Sequence, residues 1–223
     1  MLDIQTCERE ISSPLEVKPI YDAGTRLRFS NNQMIFSEGD EAKAFYKVIA
    51  GRVRLYKMQM NGRRQIIDFM IPGDIFGVEF EGKYSVTAEA IGRTSLDCSP
   101  RRRLERLCGE DGNIRDQVMS LLYRNLISTQ IHMLMLGRET ANERLVAFLV
   151  SLAKRFKINQ GDVLELGMPR QDIADYVGLA LETVCRELAR LQREGLIEIL
   201  DRRRIAIIDF VALQDYVEGR DAL

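Results

Sequence analysis

The stretch LETVCRELARLQREGL, beginning at Leu181, sets Glu182, Cys185, Arg186 and Arg190 on one helical face and Val184, Leu188 and Leu191 on the other. Arg186 carries a planar fork of donors that matches the O6 and N7 of guanine, and Glu182 can accept from the amino group of cytosine. Together they suit a G·C step. Leu181 offers only apolar contact, for instance to a thymine methyl. Arg170, Gln171 and Thr183 fall near helix starts, where they suit phosphate oxygens, contacts that position without specifying sequence. Cys185 lies beside Arg186 in the first turns of the same helix, where a helix N-terminus and a cation both favour negative charge. That placement marks it as a candidate redox-sensitive thiol, against the alternative of an unreactive thiol taking part in a base contact.

The elements around these residues have a recognisable order. PRQDIADYV opens with Pro169 at the first helical position and puts Ile173, Ala174 and Val177 on one face, and Gly178 ends it. Two short helices joined by a turn containing glycine form a helix-turn-helix, whose second helix enters the major groove. Beyond Gly195, the runs LIEIL and IAIID around the turn DRRR form a hairpin, the expected wing. Arg202, Arg203 and Arg204 stand at its tip, with Arg203 the candidate phosphate contact. A helix-loop-helix in an enzyme core can mimic the first half of this pattern, but rarely with a basic-tipped hairpin attached.

Upstream, from about Arg103 to Gly137, the signal is a long helix. Met119, Leu122, Leu126, Thr129, Met133 and Leu136 alternate steps of three and four, the a/d repeat of a two-stranded coiled coil. The stripe reads as a homodimer seam with Thr129 as a register device; the alternative is an edge packed on the chain's own core. His132 lies off the seam and reads as a packing or surface residue. The polar GRETANE stretch then interrupts the pattern before ERLVAFLVSLAKRF, an amphipathic helix, and KINQGDVLELGMP, a loop or short strand region. From Tyr21 to Asp97, short strand-like runs alternate with glycine, and Asn61-Gly62 is a hairpin signal. These runs predict a small β-roll or barrel, either ligand-holding or simply packed. The resulting architecture is α+β: residues 1–110 a β-roll regulatory domain, 111–137 a dimerisation helix, 138–223 a winged helix-turn-helix domain.

Composition excludes several classes. The 223 residues carry a formal charge of -1, so no uniformly basic surface exists and a positive field must be local. No apolar run is long enough to span a membrane, and the acidic N-terminus lacks the core of a signal peptide, so a cytoplasmic protein is expected. Four cysteines, Cys7, Cys98, Cys108 and Cys185, lack CxxC spacing and are accompanied by a single histidine, which gives no zinc site. The same lone histidine argues against a β-barrel metalloenzyme of the cupin type. Neither a metal nor any other cofactor is expected.

With these residues in place, RQDIADYVGLALETVCRELARLQREGLI resembles the recognition segment of the CRP/FNR superfamily, and the order β-roll, long helix, winged helix extends that resemblance over nearly the whole chain. The resemblance implies a homodimer on a pseudo-palindromic operator in double-stranded DNA, no enzymatic activity, and RNA polymerase as a partner. ETVCR resembles the E-x-x-S-R motif of the FNR branch, which implies base contacts by Glu182, Cys185 and Arg186 and a half-site like TTGA. Leu181 stands where the cyclic-AMP receptor protein has arginine, so that extra base contact is missing. Cyclic-nucleotide binders carry a G-E-L stretch followed by R-S-A; here FGVEFEGKYSVTA puts Lys83 and Tyr84 near the missing arginine, leaving a cyclic phosphate without its bidentate partner. The iron-sulfur sensor of the branch uses an N-terminal cysteine cluster plus one later cysteine; Cys98 matches the later position, but Cys7 stands alone near the N-terminus. The combination is most similar to FixK-type regulators of low-oxygen metabolism, typically activators. It implies a barrel that is mainly scaffold, with gating by an unidentified small ligand as the alternative.

Overall fold

The computed structural model describes residues 24–79, 81–138 and 140–217, so Cys7 lies outside the described residues. Packing divides the chain into two units, Met1–Thr129 and Gln130–Leu223.

In the first unit, β1 (Thr25–Phe29), β2 (Met34–Phe36), β3 (Ala44–Met58), β4 (Arg64–Met70), β5 (Ile75–Phe76) and β6 (Thr87–Pro100) form an antiparallel sheet. Its order is β1-β6-β3-β4, with β2 on β6 and β5 on β3. The hairpin at Asn61-Gly62 joins β3 to β4: Gly62, at φ 79°, donates its N–H to the Gln59 carbonyl at 2.9 Å. A slip in pairing bends long strands such as β3 and β6, and of the two register shifts on either side of Ala50 the second falls at Gly51. Gly51 sits at φ 83°, and a Cβ there would come within 2.5 Å of the Arg93 carbonyl oxygen, so the crossing admits only glycine.

Alternation along these strands directs Phe36, Tyr46, Val48, Val53, Phe76, Ala88 and Leu96 into one core cluster, which Tyr84 joins from the segment between β5 and β6. Phe36 stacks on Tyr84 at 3.6 Å between centroids, and Tyr46 on Phe76 at 5.4 Å. A second cluster, Phe45, Ile75, Leu104, Ile114 and Val118, forms where α1 (Arg101–Glu110) and the start of α2 (Gly112–Arg138) cover the sheet. The sequence suggested one continuous helix from about Arg103. The chain instead breaks at Asp111, whose extended backbone ends α1 and whose carboxylate accepts from the Asn113 N–H at 2.8 Å, starting α2 afresh.

Along α2 the a/d stripe is uneven. Met119, Leu126 and Met133 are 60 %, 54 % and 65 % exposed, and Thr129 is exposed with its hydroxyl donated to the Asn125 carbonyl. Leu122 instead packs against the Phe45 cluster. Leu136 is half-buried, its Cδ2 3.3 Å from where a Cβ on Gly178 would stand. The outward line of the stripe therefore runs from Met119 to Met133.

The second unit begins inside α2, ahead of the polar GRETANE stretch, because His132 and Met135 already belong to its interior. Thr140 and Glu143 then form a capping box that starts α3 (Ala141–Phe156), a device worth about 1 kcal/mol. Leu145, Val146, Leu149, Leu152 and Ala153 bury one face of α3. The KINQGDVLELGMP segment contributes β7 (Val163–Glu165), which with β8 (Ile197–Ile199) and β9 (Arg204–Ile207) makes a sheet ordered β7-β9-β8. Two helices, α4 (Arg170–Val177) and α5 (Leu181–Arg193), lie between β7 and β8, and α6 (Phe210–Val217) follows β9. Among the described residues no helix is long and apolar enough to cross a membrane. The architecture is α+β, as the order of sequence signals predicts.

Candidate nucleic-acid interface

Helix α4 ends because Gly178 adopts φ 66°, the left-handed cap that turns the chain after one more hydrogen bond, from the Leu179 N–H to the Ala174 carbonyl at 3.0 Å. Three residues later α5 starts, and its burial follows the 3.6-residue period. Val184, Leu188 and Leu191 are fully buried, while Glu182 and Arg186 stand exposed one turn apart. Leu181, Thr183 and Cys185 are half-buried at the margins of that face. Neither N-cap, Pro169 of α4 or Ala180 of α5, supplies a side-chain acceptor, so the first N–H groups of both helices have no capping side chain.

The candidate base-contacting residues differ in their ties within the chain. Arg186 makes one loose contact, from Nε to Glu187 Oε1 at 3.3 Å, and its side chain is 67 % exposed. Glu187 is held more firmly by Arg190, which also reaches Glu194 and the Tyr216 hydroxyl on α6. Arg190, which the helical wheel put on the reading face, thus anchors α5 instead. Sequence offered one signal for this network: Glu187, Arg190 and Glu194 sit at helical spacing of three and four.

Among the expected phosphate contacts, Gln171 is exposed and donates to Asp175 at 2.7 Å, one turn along α4. Arg170 behaves differently. It is half-buried, with Nη1 3.8 Å from Cys185 Sγ and a buried Nε that has no hydrogen-bond partner. The guanidinium that contacts Cys185 is thus that of Arg170 on α4, whereas Arg186, the neighbour inferred from sequence, turns toward Glu187.

At the wing, Asp201 organises the tip. Its carboxylate accepts from the Arg203 and Arg204 N–H groups at 2.8 and 2.9 Å and from Arg204 Nε at 2.7 Å. These bonds, the one from the Arg203 backbone foremost, hold the Asp201 carboxyl below the usual carboxylate range. All three arginines of the tip are exposed, but the Arg204 side chain is tied to Asp201. The role of Asp201 was missed from sequence, although an aspartate starting a tight turn is a standard signal.

The β unit treats its own candidate positions differently. Tyr84 is buried and donates its hydroxyl to the Ala44 carbonyl at 2.6 Å, and Lys83 is exposed. Cys98 is half-buried beside Tyr46, and burial pushes its thiol up. No group of three or more metal-ligating side chains stands close enough to hold an ion among the described residues.

Residues 143–216 match the Crp-like helix-turn-helix domain, and residues 26–111 match the cyclic nucleotide-binding domain. The nitrogen fixation regulation protein FixK of Bradyrhizobium diazoefficiens is 37 % identical over 187 residues, covering 83 % of this chain and 79 % of that one. FixK of Rhizobium meliloti is 38 % identical over 194 residues, covering 86 % and 88 %. The solved structure of FixK2 from Bradyrhizobium japonicum superposes with a TM-score of 0.83 at 34 % identity, covering 87 % of this chain and 97 % of that one.

Proposed function

Because the chain belongs to the CRP/FNR family, as a DNA-binding transcription regulator of the FixK/FNR type, we propose that it binds a TTGA-type palindrome as a homodimer and activates genes for low-oxygen metabolism together with RNA polymerase. The observation that carries this reading is α5 itself: one face fully buried, the other presenting Glu182 and Arg186 one turn apart with little to hold them. Glu182, Arg186 and Cys185 then face base edges with Leu181 as an apolar contact. Arg170, Gln171, Thr183 and Arg203 face phosphates, Arg170 by swinging off Cys185. The seam is the outward line of α2 from Met119 to Met133, with Leu122 and Leu136 at its inner margin.

Peroxide would oxidise the Cys185 thiol to a sulfenic acid, releasing water, and set a polar group between Arg170 and the DNA. In this reading the β-roll works without cyclic AMP or an iron-sulfur cluster. Phe36, Tyr46, Phe76 and Tyr84 already fill its interior. The alternative, a small ligand gating the regulator, finds an apolar pocket lined by Phe45, Val78, Leu104, Cys108 and Val118, beneath α1 rather than inside that aromatic cluster.

A gel shift with palindromic TTGA-type probes at several salt concentrations, comparing wild type with Arg186→Ala, tests the reading. The expected loss is roughly 1–3 kcal/mol, confined mainly to one base position. A wild-type protein that prefers no duplex over random competitor, under reducing conditions, would overturn it.

A further inference from the structure

The last four carbonyls of a helix have no partner within the helix, and at the end of α4 they include those of Tyr176, Val177 and the cap residue Gly178. Side chains from outside the helix-turn-helix meet all three. His132, on the final turns of α2, places Nε2 3.0 Å from the Tyr176 oxygen. A carbonyl can only accept, so Nε2 carries the hydrogen. The imidazole also lies flat on the Tyr176 ring, 4.0 Å between centroids and 6° between planes. Arg144, on α3, directs Nη1 to the Val177 and Gly178 oxygens at 3.2 and 3.4 Å, where a cation also meets the negative end of α4. His132 is 8 % exposed, so this is a buried joint rather than a surface contact.

One residue beyond His132, Met133 points outward on the seam stripe. The same two turns of α2 therefore face the helix-turn-helix on one side and the proposed partner subunit on the other. We infer that His132, seconded by Arg144, is a positioning residue for DNA reading. By gripping the end of α4, it holds the helix-turn-helix at a fixed angle to the last turns of α2, which carry Met133, and so sets the separation at which two copies of α5 meet successive half-sites. The inference rests on the homodimer reading above. It needs no contact between His132 and DNA.

The test uses the full-length protein, the symmetric probe and the same probe with one base pair inserted at its centre. Half-site separation is a geometric property of the dimer, so the ratio of the two affinities reports spacing and is insensitive to the fraction of protein that is folded. His132→Phe keeps an aromatic ring against Tyr176 and removes the donor; His132→Gln restores a donor. The affinity ratio is expected to fall about two- to tenfold in His132→Phe, the worth of one hydrogen bond, and to recover in His132→Gln. A dimeric His132→Phe protein with the wild-type ratio overturns the inference alone. A monomeric wild-type protein overturns the dimer reading and the inference with it.

Discussion

In the strand-rich unit Phe36, Tyr46, Phe76 and Tyr84 are buried and stacked, with the Tyr84 hydroxyl donated to the Ala44 carbonyl, whereas in the helical unit the groups best suited to recognition, Glu182 and Arg186, stand outside a fully buried face. The two regions share the means of building a site, polar and aromatic groups on a rigid frame. What separates them is whether packing has already used those groups.

Emptying the filled region is the strongest way to break that contrast. Tyr84→Ala removes a ring stacked on Phe36 and the bond to Ala44, and is expected to cost about 3–5 kcal/mol, read as a lower denaturant midpoint. The vacated space should admit a small aromatic such as indole, which would raise the melting temperature of the variant and leave wild type unmoved. Equal shifts in both proteins would mean that the roll interior is open already.

Arg186→Ala is the mirror experiment. The residue is exposed and loosely held, so its loss should change stability by less than about 0.5 kcal/mol while weakening the preference at one base position as described above. A lowered melting temperature would show that Arg186 belongs to the frame. Peroxide should weaken operator binding in wild type and spare Cys185→Ser; parallel loss in both would end the redox reading.

The smallest effect is at the wing. The Asp201 carboxyl is held below its ordinary range by bonds made in the folded state, so its contribution is present above the unfolded-state value and is lost as pH falls through the folded one. The wing tip should stay ordered at neutral pH and loosen only in acid, below the usual carboxylate range. Following the Arg203 and Arg204 amide signals by NMR between neutral and acid pH checks this, and Asp201→Asn should remove the dependence.

Much of the reading helix was legible because its signals are local. Val184, Leu188 and Leu191 declare the buried face by spacing, Gly178 declares the turn, and Glu182 and Arg186 follow as the outward face. The same wheel failed for Arg190, since its partners Glu187 and Glu194 compete for it and Tyr216 arrives from a distant helix. Arg170 was legible as a basic residue at a helix start but not as one lying on Cys185. The a/d stripe of α2 was visible, yet spacing could not tell that Leu122 and Leu136 are half covered within their own chain.

Periodicity and turn chemistry act over a few residues, so the sequence by itself determined the order of elements, the helix-turn-helix with its wing, and the exposed pair on α5. Contacts between residues far apart in the chain decided the rest: the stacking of Phe36 on Tyr84, the reach of Arg190 to Tyr216, and the grip of His132 and Arg144 on the end of α4. Such contacts depend on which faces meet when the elements pack, and no short window of sequence carries that information.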